Sequence, residues 1–409
     1  MTRAFPPVVG GSATVYANLA RCAGGALVVL APYLDSESGR ELPGWREHDR
    51  SAGYRVYRTP LLRAQGARAG SRLRALWLLC SRDLPLMVRV FARVAQIVRR
   101  ERVAVVVIGE LVYGGWLAAP CRLLLRRKVV LYIHGEELTI DCRPATIAQS
   151  LRGAHLRLAH AIVTVSRFGR TALIERYGVP SQKIALITNG IDLDHFRPRS
   201  DNPLLRARYG LPGQRVLLTV GRLSERKGMD RVIEALPEVL GRHPNVHYVI
   251  VGEGEYRAHL EQLVAERQLG RHVTFAGGVS DEDLLDHYAI ADVFVMPHRK
   301  LASGDTEGFG VVFLEANACC VPVVAGTAGG APDAVQDGVN GLTVNGEDVR
   351  AIAQAILRIL EDSTLRRRLR AGGLARAREA DCRKKAVQFL ELCHRLAMPA
   401  HSGEGPPAK

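Results

Sequence analysis

Along this chain, short apolar runs alternate with longer stretches in which apolar positions recur every three or four residues. The short runs, rich in Val and Ile, predict strands at 26–30, 103–108, 129–133, 161–165 and 184–187. A second set falls at 216–220, 246–251, 273–275, 293–296 and 321–324. Each run is continuously apolar rather than alternating, as a strand covered by helices on both faces requires. The order strand–helix–strand therefore predicts parallel βαβ units throughout. The turn-rich stretch from Asn189-Gly-Ile-Asp192 to Pro203 separates the two sets. We expect one Rossmann-like domain over 1–195 and a second over 196–381, facing each other. A terminal helix over 382–398 is expected to return toward the first domain, and the Gly/Pro-rich 399–409 to be disordered. A chain of 409 residues suits two such domains.

Charge changes this picture more than composition does. Residues 1–195 carry 28 Lys and Arg against 14 Asp and Glu, whereas 196–409 carry 28 against 27. Nearly all of the net +15 lies in the first half, more than a small anionic ligand needs. A second anionic partner, such as a membrane surface or an acidic acceptor, is implied. The segment 63–100 mixes nine arginines with Leu, Met, Val, Phe and Trp77, and Pro85 is expected to divide it into two helices. A basic amphipathic helix of this kind suits a membrane interface, and equally a packed helix pair with arginine-rich polar faces. The basic residues follow helices and form no nucleic-acid recognition module, so no nucleic-acid partner is expected. Eight cysteines without a CxxC pair argue against a disulfide framework or a zinc site. No run approaches the ~18 uncharged apolar residues of a spanning helix. The expectation is a cytoplasmic protein, peripheral at most on the inner face of the cell membrane.

Four constellations carry chemistry. Pro6-Pro-Val-Val-Gly10-Gly11 stands directly before a helix, where paired glycines let a ligand approach backbone N–H groups and the helix dipole. Tyr132-Ile-His134 closes an apolar strand, and ligands of open α/β sheets bind at the carboxyl ends of strands. Gly221-Arg222-Leu-Ser-Glu-Arg-Lys227-Gly228 joins a strand to a helix and places two cations at the strand end, suited to a diphosphate leaving group. The most specific is Asp305-Thr-Glu307-Gly308-Phe309-Gly310-Val311-Val-Phe-Leu-Glu315. There a helix starting near Phe309 or Gly310 has one carboxylate ahead of it and another inside it. The N–H groups of Gly308, Phe309, Gly310 and Val311 lie between the two.

In this order the motifs resemble glycosyltransferase family 4, retaining enzymes of the GT-B fold, over nearly the whole chain. Val165-Ser-Arg-Phe168, Val251-Gly252-Glu253-Gly254 and Gly338-Val-Asn-Gly341 add to the likeness. The pair Glu307 and Glu315, seven residues between, is the family's signature. Within the family the chain leans toward the phosphatidylinositol-mannoside mannosyltransferases, on the run around Glu307–Glu315 and on Ala325-Gly-Thr-Ala-Gly-Gly-Ala-Pro-Asp333. The resemblance implies a nucleotide-diphosphate sugar donor, GDP- or UDP-linked, and a hydroxyl acceptor of a class that includes lipid-linked ones. Arg222 and Lys227 would bind the diphosphate and Glu315 the ribose. Glu307, with the backbone of Gly308 to Val311, would hold the sugar. His134 would meet the sugar near the reacting centre, Gly10 and Gly11 the phosphate or acceptor, and Gly252 and Glu253 the base.

Neither a metal nor another cofactor is expected, because the two cations serve the leaving phosphate. Asp281-Glu-Asp283 reads as a helix cap and first turn rather than as metal ligands. Two other readings stay open on sequence: a GT-B epimerase or phosphorylase, and a non-catalytic nucleotide-sugar binder. One departure from the family concerns the start. Thr2-Arg-Ala-Phe5 is short and polar where relatives have an apolar strand, so we expect an in-frame apolar segment of roughly 5–6 residues upstream of Met1.

Overall fold

The structure is a computed structural model and describes residues 1–8, 10–63, 77–139 and 147–398. The 64–76 part of the basic segment, Cys142 and the 399–409 tail lie outside the described residues.

The molecule is α/β, with two Rossmann-like domains. In the first, β1 (Val28–Pro32) pairs with β2 (Arg55–Thr59), and β3 (Val105–Ile108), β4 (Lys128–Ile133), β5 (Ala161–Thr164) and β6 (Ile184–Leu186) pair in sequence order. The second has one sheet of β7 (Arg215–Val220), β8 (Val246–Val251), β9 (Val273–Gly277), β10 (Val293–Met296), β11 (Val323–Gly326) and β12 (Leu342–Val344), ordered β12-β11-β10-β7-β8-β9. Every pairing between these strands is parallel. The ten expected strands appear with ends shifted by up to two residues. The reading missed β2, whose Arg-Val-Tyr-Arg-Thr is too polar for a run, and the three-residue β12. Both are edge strands, which bury less and so show less apolar pattern.

Between β1 and β3, Met1 and Thr2 bridge the two sheets. The Met1 amine donates to Val107 O at 2.7 Å, Gly109 N donates to Met1 O at 2.8 Å, and Thr2 N donates to Leu30 O at 3.1 Å. That is the spacing of a parallel ladder.

One apolar cluster lies on a single face of each sheet. A third runs without a break from Phe5, Tyr16 and Tyr132 in the first domain to Val216, Phe313 and Phe389 in the rest of the chain. The two domains thus share a core. The helix Cys382–Ala397 contributes to it by packing on the helix Gly11–Cys22, with Phe389 6.0 Å from the Tyr132 ring. Ile191 N donates to Ala380 O at 2.8 Å and Cys382 N to Ile191 O at 2.9 Å, so both chain crossings between domains meet at one point. Cysteines that are scattered in sequence converge here: Cys22 Sγ and Cys382 Sγ stand 2.9 Å apart.

Pro85 does not divide two separate helices. A π-helical turn at Leu79–Asp83 runs straight into the helix Leu84–Arg100, and Pro85 sits in that helix's first turn. The wider π turn ahead of Pro85 makes room for its ring where it would meet the preceding carbonyl. Among the described residues, no helix is long and apolar enough to cross a membrane.

Candidate active site

The loops after β4, β7, β8 and β10 converge at the carboxyl ends of their strands, where open α/β sheets bind ligands. After β7 the chain makes a 3-10 turn, Glu225–Lys227, and Gly228 then opens the helix Met229–Arg242. This turn is anchored from beneath. Arg299, buried after β10, donates its backbone N–H to Arg226 O at 2.8 Å and grips Asp230 with two bonds of 2.8 and 2.9 Å. A bidentate buried pair fixes direction as well as distance. The β7 and β8 loops are pressed together, since a Cβ at Gly252 would lie 2.0 Å from Gly221 O. Only glycine fits, which is the physical content of Val251-Gly252-Glu253-Gly254. Glu253 stands at the rim, its Oε1 accepting from Gly278 N at 3.2 Å.

The helix carrying Glu315 runs Val311–Ala318, starting one or two residues later than the sequence suggested. Gly310 precedes it at φ 83°, in the left-handed region. Glu307 is buried ahead of the helix, and one oxygen, Oε2, accepts from Lys227 Nζ at 2.5 Å and from Arg226 Nη1 at 2.8 Å. Burial alone would raise its pKa. Lys227 and Arg226 overcome that and hold the carboxyl well below the usual range, so Glu307 is ionised. Glu315 has the opposite environment. It is buried with the Tyr288 hydroxyl as donor at 2.9 Å, and burial pushes its pKa up to about 7. Asn340 Nδ2 donates to Asn317 Oδ1 at 2.7 Å, tying this helix to the Gly338-Val-Asn-Gly341 loop.

Arg222 and Lys227 have different surroundings. Its guanidinium is 74% exposed and pairs with Glu255 at 3.2 Å. The expected pair of open cations is therefore one exposed arginine and one lysine already engaged by a carboxylate. Asp192 and Asp194, spaced as an Asp-x-Asp pair, and the Asp281 segment are likewise engaged. Asp192 holds Arg21 at 2.7 Å, Asp194 pairs with Arg383, and Ser280 caps the helix that begins at Asp281.

On the first domain, His134 is buried and its Nε2 has no hydrogen-bond partner. Tyr16 and Tyr132 flank its ring at 5.1 and 5.4 Å, and burial lowers its pKa to about 4, so it is neutral at pH 7. Tyr16 is itself fixed by a 2.6 Å bond to Gly109 O. Gly10 and Gly11 open the helix Gly11–Cys22 without a side-chain cap, and a Cβ at either would meet nothing within 4 Å. The two domains touch at the site. A Cβ at Gly135 would lie 3.5 Å from Gly308 Cα, and Arg167 donates to Asp333 from its backbone at 2.7 Å and its Nε at 2.6 Å. The structure thus brings the loops of His134 and Glu307 together. Sequence reading missed Arg226, seen only as one more loop cation, and Tyr288, which lies 27 residues from Glu315 and gives no local signal.

Residues 9–195 match the family described as Glycosyltransferase Family 4, and residues 201–376 match Glycosyl transferases group 1. A GDP-mannose-dependent alpha-(1-6)-phosphatidylinositol monomannoside mannosyltransferase of Mycobacterium tuberculosis is 32% identical, over 88% of this chain and 88% of that protein. The chain belongs to the family 4 glycosyltransferases. A protein of the same description from Mycolicibacterium smegmatis is 40% identical over 61% of this chain, a match spanning 64% of the relative's length. The fold of this family 4 chain is also that of Anabaena HepE in complex with UDP and glucose, with TM-score 0.74 and 22% identity over 96% of this chain and 98% of that one. The two-domain GT-B fold and the hexosyltransferase class are therefore those of this protein.

Proposed function

We propose that the protein transfers mannose from GDP-mannose to a hydroxyl of a phosphoinositol-based glycolipid, with retention of the anomeric configuration and without a metal ion. The observation that carries this reading is the contact between the His134–Gly135 loop and the Glu307–Gly308 loop. It joins a donor half, residues 196–381, to an acceptor half, residues 1–195, with 382–398 tying them together. The mannosyltransferase relative matched over 88% of both chains supports the donor and the acceptor class.

In this reading Glu315 accepts from the ribose hydroxyls, Glu307 from the sugar, and Gly252 and Glu253 border the base. Lys227, Arg222 and the N–H groups of Gly308, Phe309, Gly310 and Val311 take up the charge that grows on the diphosphate as its bond to the sugar breaks. The acceptor oxygen bonds to the same carbon on the same face, and its proton passes to the leaving phosphate oxygen. A neutral His134 with a pKa about 4 is too weak a base for that proton, and it contacts the sugar instead. In this reading Glu307 and Glu315 serve the sugar and the ribose, and no step runs through a covalent carboxylate nucleophile.

Exposed Trp77, Leu84 and Val88 beside Arg89 support peripheral contact with an anionic membrane, on its cytoplasmic side. The deciding experiment incubates the purified protein with GDP-mannose, UDP-glucose and a phosphatidylinositol mannoside, with and without EDTA. An α-linked mannoside formed equally in EDTA is expected. A β-linked product, a preference for UDP-glucose, or activity restored only by Mg²⁺ or Mn²⁺ would count against the corresponding part.

A further inference from the structure

We infer that Arg226 is a positioning residue of the donor site, keeping Glu307 ionised and in place so that Lys227 is free to move onto the donor diphosphate. The inference rests on the donor reading above and concerns how the site changes hands when a nucleotide arrives.

Glu307 is only 8% exposed, and a buried carboxylate left without a partner is strongly disfavoured. A diphosphate needs the Lys227 charge, yet Lys227 Nζ lies 2.5 Å from Glu307 Oε2. If Lys227 were that oxygen's sole partner, each nucleotide would bind at the expense of an orphaned carboxylate. Arg226 removes the conflict, since its Nη1 reaches the same oxygen at 2.8 Å.

The rest of its surroundings keep Arg226 there while Lys227 leaves. Its backbone carbonyl is held by Arg299, which is locked on Asp230. Its Nε lies 3.5 Å from Asp305 Oδ2, and its side chain is only 16% exposed. The planar guanidinium thus spans two carboxylates, while the lysine is a single charge on a flexible stem that swings with little rearrangement. Arg226 and Lys227 balance Asp305 and Glu307, so the site at rest is close to neutral despite the basic chain around it.

Calorimetric titration with GDP tests this in four proteins: wild type, Arg226→Gln, Glu307→Gln and the double variant. Arg226→Gln alone should weaken GDP binding about tenfold or more, because Lys227 is then retained by Glu307. With Gln at 307 there is no carboxylate to orphan, and the same change should alter affinity less than about threefold. Arg226→Lys should recover part of the loss, and thermal midpoints identify any variant that fails to fold. In turnover, Arg226→Gln should raise the KM for GDP-mannose more than it lowers kcat. An equal loss of affinity in both backgrounds, or wild-type binding by Arg226→Gln, would overturn the inference alone. Absence of GDP binding by the wild type would overturn the donor reading and the inference with it.

Discussion

The two halves of the site are finished to different degrees. In the second domain the buried charged groups of the site already have partners: Glu307 with Lys227 and Arg226, Arg299 with Asp230, Glu315 with Tyr288. In the first domain the three residues expected to contribute, His134, Gly10 and Gly11, form no such pair. His134 Nε2 has no partner, and Gly10 and Gly11 present bare backbone to empty space. The difference follows from what each half would bind. A nucleotide sugar is a highly charged ligand, and a donor site of paired charges would recognise it by exchanging the partners of Lys227 and Arg222. An acceptor hydroxyl brings little charge, so glycine backbone and a neutral ring leave room for it.

If the comparison holds, damage to the donor half should be the larger. Lys227→Ala and Arg222→Ala should each lower turnover by about two orders of magnitude or more, as loss of ~3–4 kcal/mol of charge stabilisation does. Wild-type turnover in the double variant would remove the diphosphate assignment. The structure sharpens this, because Arg222 must leave Glu255 to reach a ligand, whereas Lys227 is already inside.

Damage to the acceptor half should be smaller and should spare nucleotide binding. His134→Ala is expected to lower kcat/KM roughly tenfold through misplaced sugar, with the Kd for GDP unchanged. A weakened GDP Kd in that variant would erase the distinction between the halves.

A third test concerns the balance within the donor half. Glu315 has its pKa raised to about 7 in the folded protein, so the native state holds a proton that the unfolded chain has released by that pH. Stability contributed at this position is therefore present at low pH and is lost as pH rises from about 4.5 to about 7, by up to ~3 kcal/mol. Glu315→Gln should raise Tm at pH 8 and change it little at pH 4.5. The same shift at both pH values would show that the carboxyl is not held protonated.

The smallest expected effect is at the outer surface of the first domain. Binding to anionic vesicles should fall steeply with salt, since exposed charges are screened over ~8 Å at physiological ionic strength. Replacing Arg82 and Arg89 with Glu should weaken it several-fold without changing GDP affinity. Equal binding to neutral vesicles would exclude an electrostatic contact.

Much of this was legible in the linear sequence because it depends on neighbours. Continuous Val/Ile runs specify buried parallel strands, since a covered strand has no polar face to show, and ten of the twelve strands among the described residues were found that way. Glycines at 10, 252 and 310 and the carboxylates at 307 and 315 sit at strand ends and helix starts, so their places followed once the strands were known. What stayed hidden depends on contacts between distant segments. Arg226 and Lys227 look alike on one loop, and only the fold brings both to the same oxygen of Glu307, some 80 residues away. Tyr288 donating to Glu315, Arg167 meeting Asp333 and the approach of Cys22 to Cys382 are of the same kind. Hydrophobic periodicity records which face of an element is buried. Which partner a buried charge acquires depends on how two elements meet, and that was settled by the tertiary structure alone.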